Sequence, residues 1–134
     1  MGYRSEVSFC LQVKEPEKFI ALARIEADNT LKEMLDNMYY FEDHQNIKYI
    51  MFKHSHWKWY DDSERALADL MGMAEDYDAD FACRFARIGE STDDIEENAF
   101  GNGWDLEYPY VTAEVSTGVA DEDLKPVIEG EVHG

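Results

Sequence analysis

Residues 76 to 80 read Asp76-Tyr77-Asp78-Ala79-Asp80, which puts carboxylates at the first three ligand positions of a calcium loop. The sixth position is then Phe81, where the loop needs glycine to turn, and the twelfth is Arg87, where it needs a bidentate glutamate. A helix-to-strand connection with solvated acids is expected there instead. His54 and His56 are two apart and would share one side of a strand, a spacing that zinc or nickel can use. No third ligand accompanies them, because Cys10 and Cys83 belong to other elements and follow no metal spacing. Arg84 and Arg87 stand among acids and could cradle an anion, but carboxylates from Glu90 to Glu97 compete for them, so internal salt bridging is the better reading. Nothing pairs a nucleophile with a base, cradles a phosphate in glycines or marks a nucleotide site, and Gly101-Asn102-Gly103 is a turn signal only. The expectation is a non-enzyme with no catalytic residue, no metal and no cofactor.

The chemistry that remains is charge. Residues 1–60 carry nine acids and eight bases, a balance of -1; residues 61–134 carry twenty-one acids and four bases, a balance of -17, and the two sum to the net -18. Between Ile88 and Leu124 there are eleven carboxylates and no Lys or Arg. Self-repulsion of this size opposes a compact state and exceeds what solubility needs, so it points to a cationic partner. It also argues against direct binding of nucleic acid or of an anionic membrane, both of which would repel it. General salt adaptation would make both halves acidic, and the first half is neutral. A disordered acidic tail can account for residues 118–134 but not for acids interleaved with core-type residues from Asp61 to Glu97. The candidate partner-binding residues are Asp61, Asp62, Asp76, Asp78, Asp93, Asp94, Glu96 and Glu97. Asp62, Asp69 and Asp76, spaced by sevens, would form a line if they share the exposed face of a helix. A solvated face is the default for any charge run; the one-sidedness of this one sets a nucleic-acid-like surface beside it.

Those acids need a scaffold, and the pattern supplies one. Tyr3, Ser5, Val7, Phe9, Leu11 and Val13 alternate with polar residues, which reads as a half-buried strand. Pro16 suits a first helical turn, and Phe19, Leu22, Ala23, Ala27, Leu31, Met34, Leu35 and Met38 follow at three- and four-residue steps, giving one helix of about five turns. Tyr39–Asp43 and Ile47–Lys53 read as a hairpin across His44-Gln45-Asn46, and His54 to Tyr60 as an irregular extension or turn. Ser63 is an N-cap candidate for a helix with Ala66, Leu67, Leu70, Met71 and Ala74 on one face, weakened by Gly72. Phe81–Ile88 is a strand, Glu90–Asn102 an acidic loop, and Leu106–Ser116 one more strand, demoted to an edge by Pro109. The order strand, helix, strand, strand, helix, strand predicts an α+β, ferredoxin-like βαββαβ sandwich: an antiparallel sheet with two helices on one face, plus an extra C-terminal strand. One domain over residues 1–117 is expected, followed by a flexible acidic tail over 118–134. Trp57, Trp59 and Tyr60, with Tyr39, Tyr40, Phe41 and Trp104, read as core closure ahead of a recognition cluster. No apolar run approaches the ~20 residues of a membrane span. The start MGYRSEV has no apolar segment or cleavage site, so a cytoplasmic protein with reduced thiols is expected.

Three blocks, GYRSEV (Gly2 to Val7), KWY (Lys58 to Tyr60) and FARIGESTDDIEE (Phe85 to Glu97), together resemble a group of small acidic proteins found in bacteriophage and prophage genomes. The resemblance spans roughly the first hundred residues, implies a phage accessory protein working inside an infected bacterium, and transfers no catalytic residue. With the charge, it sets the expectation of a protein that inhibits a host nucleic-acid-handling defence complex, a CRISPR effector or restriction enzyme, by nucleic-acid mimicry. Its partner would be a basic protein surface. The alternative is a ferredoxin-like binder of a small molecule or nucleotide signal, with Arg84, Arg87, the histidines and the tryptophans as its pocket.

Overall fold

A computed structural model describes residues 5–43, 45–57, 61–89, 94–106, 110–111, 115–116 and 125–126. Strand β1 (Ser5–Gln12) is the spine of the sheet. It pairs antiparallel with β3 (Lys48–Trp57) on one side and β4 (Ala82–Ile88) on the other. Strand β2 (Met38–Glu42) lies outside β3, and β5 (Ile95–Gly101) outside β4. With the two-residue β8 (Lys125–Pro126) against β2, the order is β5-β4-β1-β3-β2-β8, every neighbouring pair antiparallel. The protein is thus α+β.

Period-two alternation places Val7, Phe9 and Leu11 of β1 opposite Phe52 and Ile50 of β3 and Phe85 and Cys83 of β4, all on one face. Phe9 and Phe52 stack with ring centroids 5.2 Å apart. Against this face pack Phe19, Ile20 and Ala23 from α1 (Pro16–Glu26), Leu31, Met34 and Leu35 from α2 (Asn29–Asp36), and Ala66, Leu67, Leu70 and Ala74 from α3 (Asp61–Tyr77). The single five-turn helix expected after Pro16 is in fact two. Ala27 is extended, and the Asp28 carboxylate accepts from the Leu31 N–H at 2.9 Å, starting α2 as a new helix. The apolar spacing survives the break because both pieces dock on the same sheet. Ser63 is not the N-cap of α3 but lies inside it, buried, where its Oγ accepts from Trp57 Nε1 at 3.2 Å.

The expected acidic loop over Glu90–Asn102 is corrected too: Ile95–Gly101 forms β5, paired residue for residue with β4 from Ile88↔Ile95 to Ala82↔Gly101. Its poor β-propensity is overridden by a ladder to the edge of an existing sheet. A short 3-10 turn (Gly103–Asp105) then closes on β4 so tightly that a Cβ on Gly103 would collide with the Cys83 carbonyl oxygen. The one edge strand expected over Leu106–Ser116 is instead a hairpin, β6 (Tyr110–Val111) against β7 (Val115–Ser116), which lies over β1 and β4. That cover explains why β1 is buried on both faces, with Ser8 and Cys10 as hidden as Phe9. A smaller second core of Cys10, Tyr49, Met51, Ala82 and Leu106 sits on this side. No helix among the described residues is long and apolar enough to cross a membrane.

Candidate functional site

Helix α3 carries the most exposed acids on one element. Asp61, Asp62, Glu64, Asp69, Glu75 and Asp76 are all solvent-facing, while Ala66, Leu67, Leu70, Met71 and Ala74 hold the opposite face in the core. Acids in its first turn sit favourably at the positive end of the helix dipole. Asp62, Asp69 and Asp76 share one exposed stripe, about 10 Å between successive members. The one base in this helix, Arg65, reaches Asp28 at 2.6 Å and Asp62 at 3.4 Å and so neutralises little of the row.

The second acid group is differently employed. Arg87 donates to Asp94 through both Nη atoms (3.2 and 2.9 Å), to Glu96 through Nε (3.2 Å), and to Ser5 Oγ (3.1 Å). Its side chain is 13% exposed. Burial would lower its pKa, but the hydrogen bonds to Asp94 and Glu96 outweigh that and hold it above its ordinary value. On the other face Arg84 donates to the Leu106 carbonyl at 2.6 Å, lies 3.7 Å from Glu97 and stacks over exposed Trp104 at 5.4 Å. Asp94, Glu96 and Glu97 are therefore first of all counter-ions that tie β5 to β4. Asp93 lies outside the described residues. The two arginines face opposite sides of the sheet and are committed to these pairs, so they do not converge on a pocket.

Asp78 is structural as well: its Oδ2 accepts from the Lys14 N–H at 2.9 Å and its Oδ1 from the Asp80 N–H at 3.0 Å. It faces an open cleft of about 860 Å³ at one end of the sheet, lined in part by Glu15, Asp43, Asp80 and Asp105 against Lys14 and Lys48. Asp43 there organises the β2–β3 turn, accepting from the Gln45 and Ile47 N–H groups and the Tyr49 hydroxyl. Among the described residues, no group of three His, Cys, Asp or Glu is placed to hold a metal ion. Trp57 is core: it meets Phe52 edge-on at 5.2 Å, with His54 at 4.9 Å. Trp59 and Tyr60 lie outside the described residues. Burial pushes the thiols of Cys10 and Cys83 upward, which makes them inert packing groups.

The structure thus brings Asp61, Asp62 and Asp76 together on α3, puts Asp94, Glu96 and Glu97 at the far strand of the sheet, and sets Asp78 in a cleft. The acids lining that cleft come from four separate segments, and only Asp78 and Asp80 are neighbours in the sequence. Fold and site together define an acidic α+β protein with a carboxylate-bearing helix on its helical layer. No family model, no curated protein and no solved structure matches the chain.

Proposed function

We propose that this is a phage-encoded acidic binding protein that occupies the basic nucleic-acid channel of a host defence complex, a CRISPR effector or restriction enzyme, in the cytoplasm of the infected cell. The outer face of α3 carries the proposal. Its six carboxylates lie along about 22 Å of helix, clustered at Asp61–Glu64 and Glu75–Asp76 with Asp69 between, an average charge density comparable to that of a single DNA strand at ~3.4 Å per charge. Lys and Arg in a nucleic-acid channel respond mainly to such charge and its spacing. Rigidity matters because a preorganised row loses little conformational freedom on binding. We read the scaffold as ferredoxin-like: the central strands run β4-β1-β3-β2, all antiparallel, with helices between β1 and β2 and between β3 and β4.

The test is DNA cleavage by purified restriction enzymes and CRISPR effectors with increasing amounts of the protein. Inhibition should appear against at least one, weaken steeply with salt, and disappear in the Asp62→Lys/Asp69→Lys/Asp76→Lys variant, whose changes are all solvent-facing. Full inhibition by that variant, with its fold confirmed by circular dichroism, overturns the reading. The α3 row is the better target because reversing Asp94 or Glu96 would also strip Arg87 of its partners. The cleft of about 860 Å³ favours the second reading, a small-molecule binder, since it falls in the size range of ligand sites. Its acid-rich lining disfavours an anionic nucleotide and suits a cation. A thermal-shift screen separates the two, because a tight ligand must raise the melting temperature.

A further inference from the structure

A groove of about 230 Å³ runs between α1 and α3. Phe19, Leu22, Met73 and Tyr77 give it an apolar lining, and Glu26 and Asp76 stand at its rim. Leu22 is 44% exposed, and Ile25, one turn further along α1, is 79% exposed, two of the four large apolar side chains left in solvent among the described residues. On α3, Asp69, Met73 and Asp76 are spaced i, i+4, i+7 and share a face, so the acid row runs along the side of the helix that borders the groove. Lys18 is the base on the neighbouring outer face of α1.

We infer that this groove, flanked by the acid row, docks a basic amphipathic helix of a partner protein, with one large apolar residue in the groove and Lys or Arg against Glu26, Asp69 and Asp76. The inference rests on the acidic reading of α3 and adds an apolar anchor to it. Size and charge select the occupant. The volume is below the ~300–1,000 Å³ of small-molecule sites but suits a single anchoring side chain. A second copy of the chain would bring a further net charge of -18 to an acidic rim, and the chain's own residues 118–134 carry five acids and one base. A helix with basic flanks is the complement of both features. Charge would then set the approach and its salt dependence, and the apolar anchor the residence time.

The probe is a fluorescently labelled Leu/Lys amphipathic peptide, with a second peptide of the same charge whose leucines are replaced by serine. Binding to the full chain is read by anisotropy near physiological salt. The Leu22→Ser/Ile25→Ser variant, changed only at exposed positions, should bind the leucine peptide about tenfold more weakly or worse, and the serine peptide should bind the unaltered protein with a similar deficit. Asp69→Asn/Asp76→Asn should also weaken binding and flatten its salt dependence. Equal binding by Leu22→Ser/Ile25→Ser overturns the groove; if the asparagine variant is weakened in the same experiment, the acid row stands without it. Loss in the serine variant alone overturns the basic character of the partner and the acid-row reading together. Absence of binding to either peptide, or self-association in light scattering that the serine variant abolishes, overturns the inference.

Discussion

Asp28 does two jobs with one carboxylate, capping the Leu31 N–H and pairing with Arg65. The bond from the Leu31 N–H first, and Arg65 after it, hold its pKa below the ordinary carboxylate range; the Lys48 ammonium does the same for Glu17. Both are depressed in the folded chain, so the stability they contribute is present above the unfolded carboxylate range and is lost as pH falls through it, below about pH 4. Asp28→Ala should lower stability at neutral pH by urea unfolding, as the loss of a helix cap does. Asp28→Asn keeps the cap and should cost less, and its deficit should close as the pH is lowered to where the native carboxyl is also protonated. A deficit that persists undiminished at that pH would show that charge plays no part. Arg87 is the more demanding residue. Arg87→Met leaves Asp94 and Glu96 facing each other without a cation and should cost about 2 kcal/mol. Such competition was legible in the sequence, where two arginines stand beside a carboxylate run. Their commitment to opposite faces of the sheet was not, because it depends on the parity of β4.

At the scale of elements, the strand and helix periods were readable wherever one face is buried and the other wet, as in α3. Misreadings arose where a tertiary contact outranked local pattern. The stretch from Phe19 to Met38 keeps helical spacing across a break made by one capping aspartate. Strand β5 has a polar sequence and exists because β4 offers it a ladder. Gly72, exposed in the middle of α3 with nothing within 4 Å of an added Cβ, contributes nothing that alanine would not. Gly72→Ala should raise stability by about 1 kcal/mol, seen as a higher Tm, and should leave partner binding unchanged. Gly103 is the contrary case. Gly103→Ala drives a methyl group into the Cys83 carbonyl and should cost about 2 kcal/mol or more in the same measurement. If both alanines behaved alike, the close approach of the 3-10 turn to β4 would be refuted.

For the whole molecule the governing quantity is the net charge of -18. Among the described residues Arg24, Lys48, Arg65, Arg84 and Arg87 are already spent on internal ion pairs, so the outward field is dominated by the surplus acids. Exposed pairs contribute roughly 0–1 kcal/mol each, whereas the repulsion acts among all surplus charges. Raising NaCl toward the order of 1 M, where the screening length is about 3 Å, should therefore raise Tm by a few degrees, the shift that about 1 kcal/mol produces in a domain of this size. A falling Tm would mean that internal pairs dominate. The same screening should weaken partner binding, so stability and affinity should move in opposite directions with salt.

The sequence by itself determined the α+β class, the helix-facing side of β1 (whose other face, expected to be polar and wet, is buried too), the buried face of α3, the lack of a recognisable catalytic motif and the concentration of acid after Tyr60. Those properties are carried by residue type and short-range period, which any chain displays in one dimension. Tertiary structure decided which acids are available. Asp69 and Asp76 stand in solvent, Asp76 beside an apolar groove, and exposed Asp62 meets Arg65 only at 3.4 Å, while Asp94, Glu96 and Glu97 are drawn onto arginines and Asp78 onto backbone N–H groups. A carboxylate in a sequence is only a charge; whether it faces a partner or a counter-ion depends on strand parity and helix docking, and both are set by residues far away along the chain.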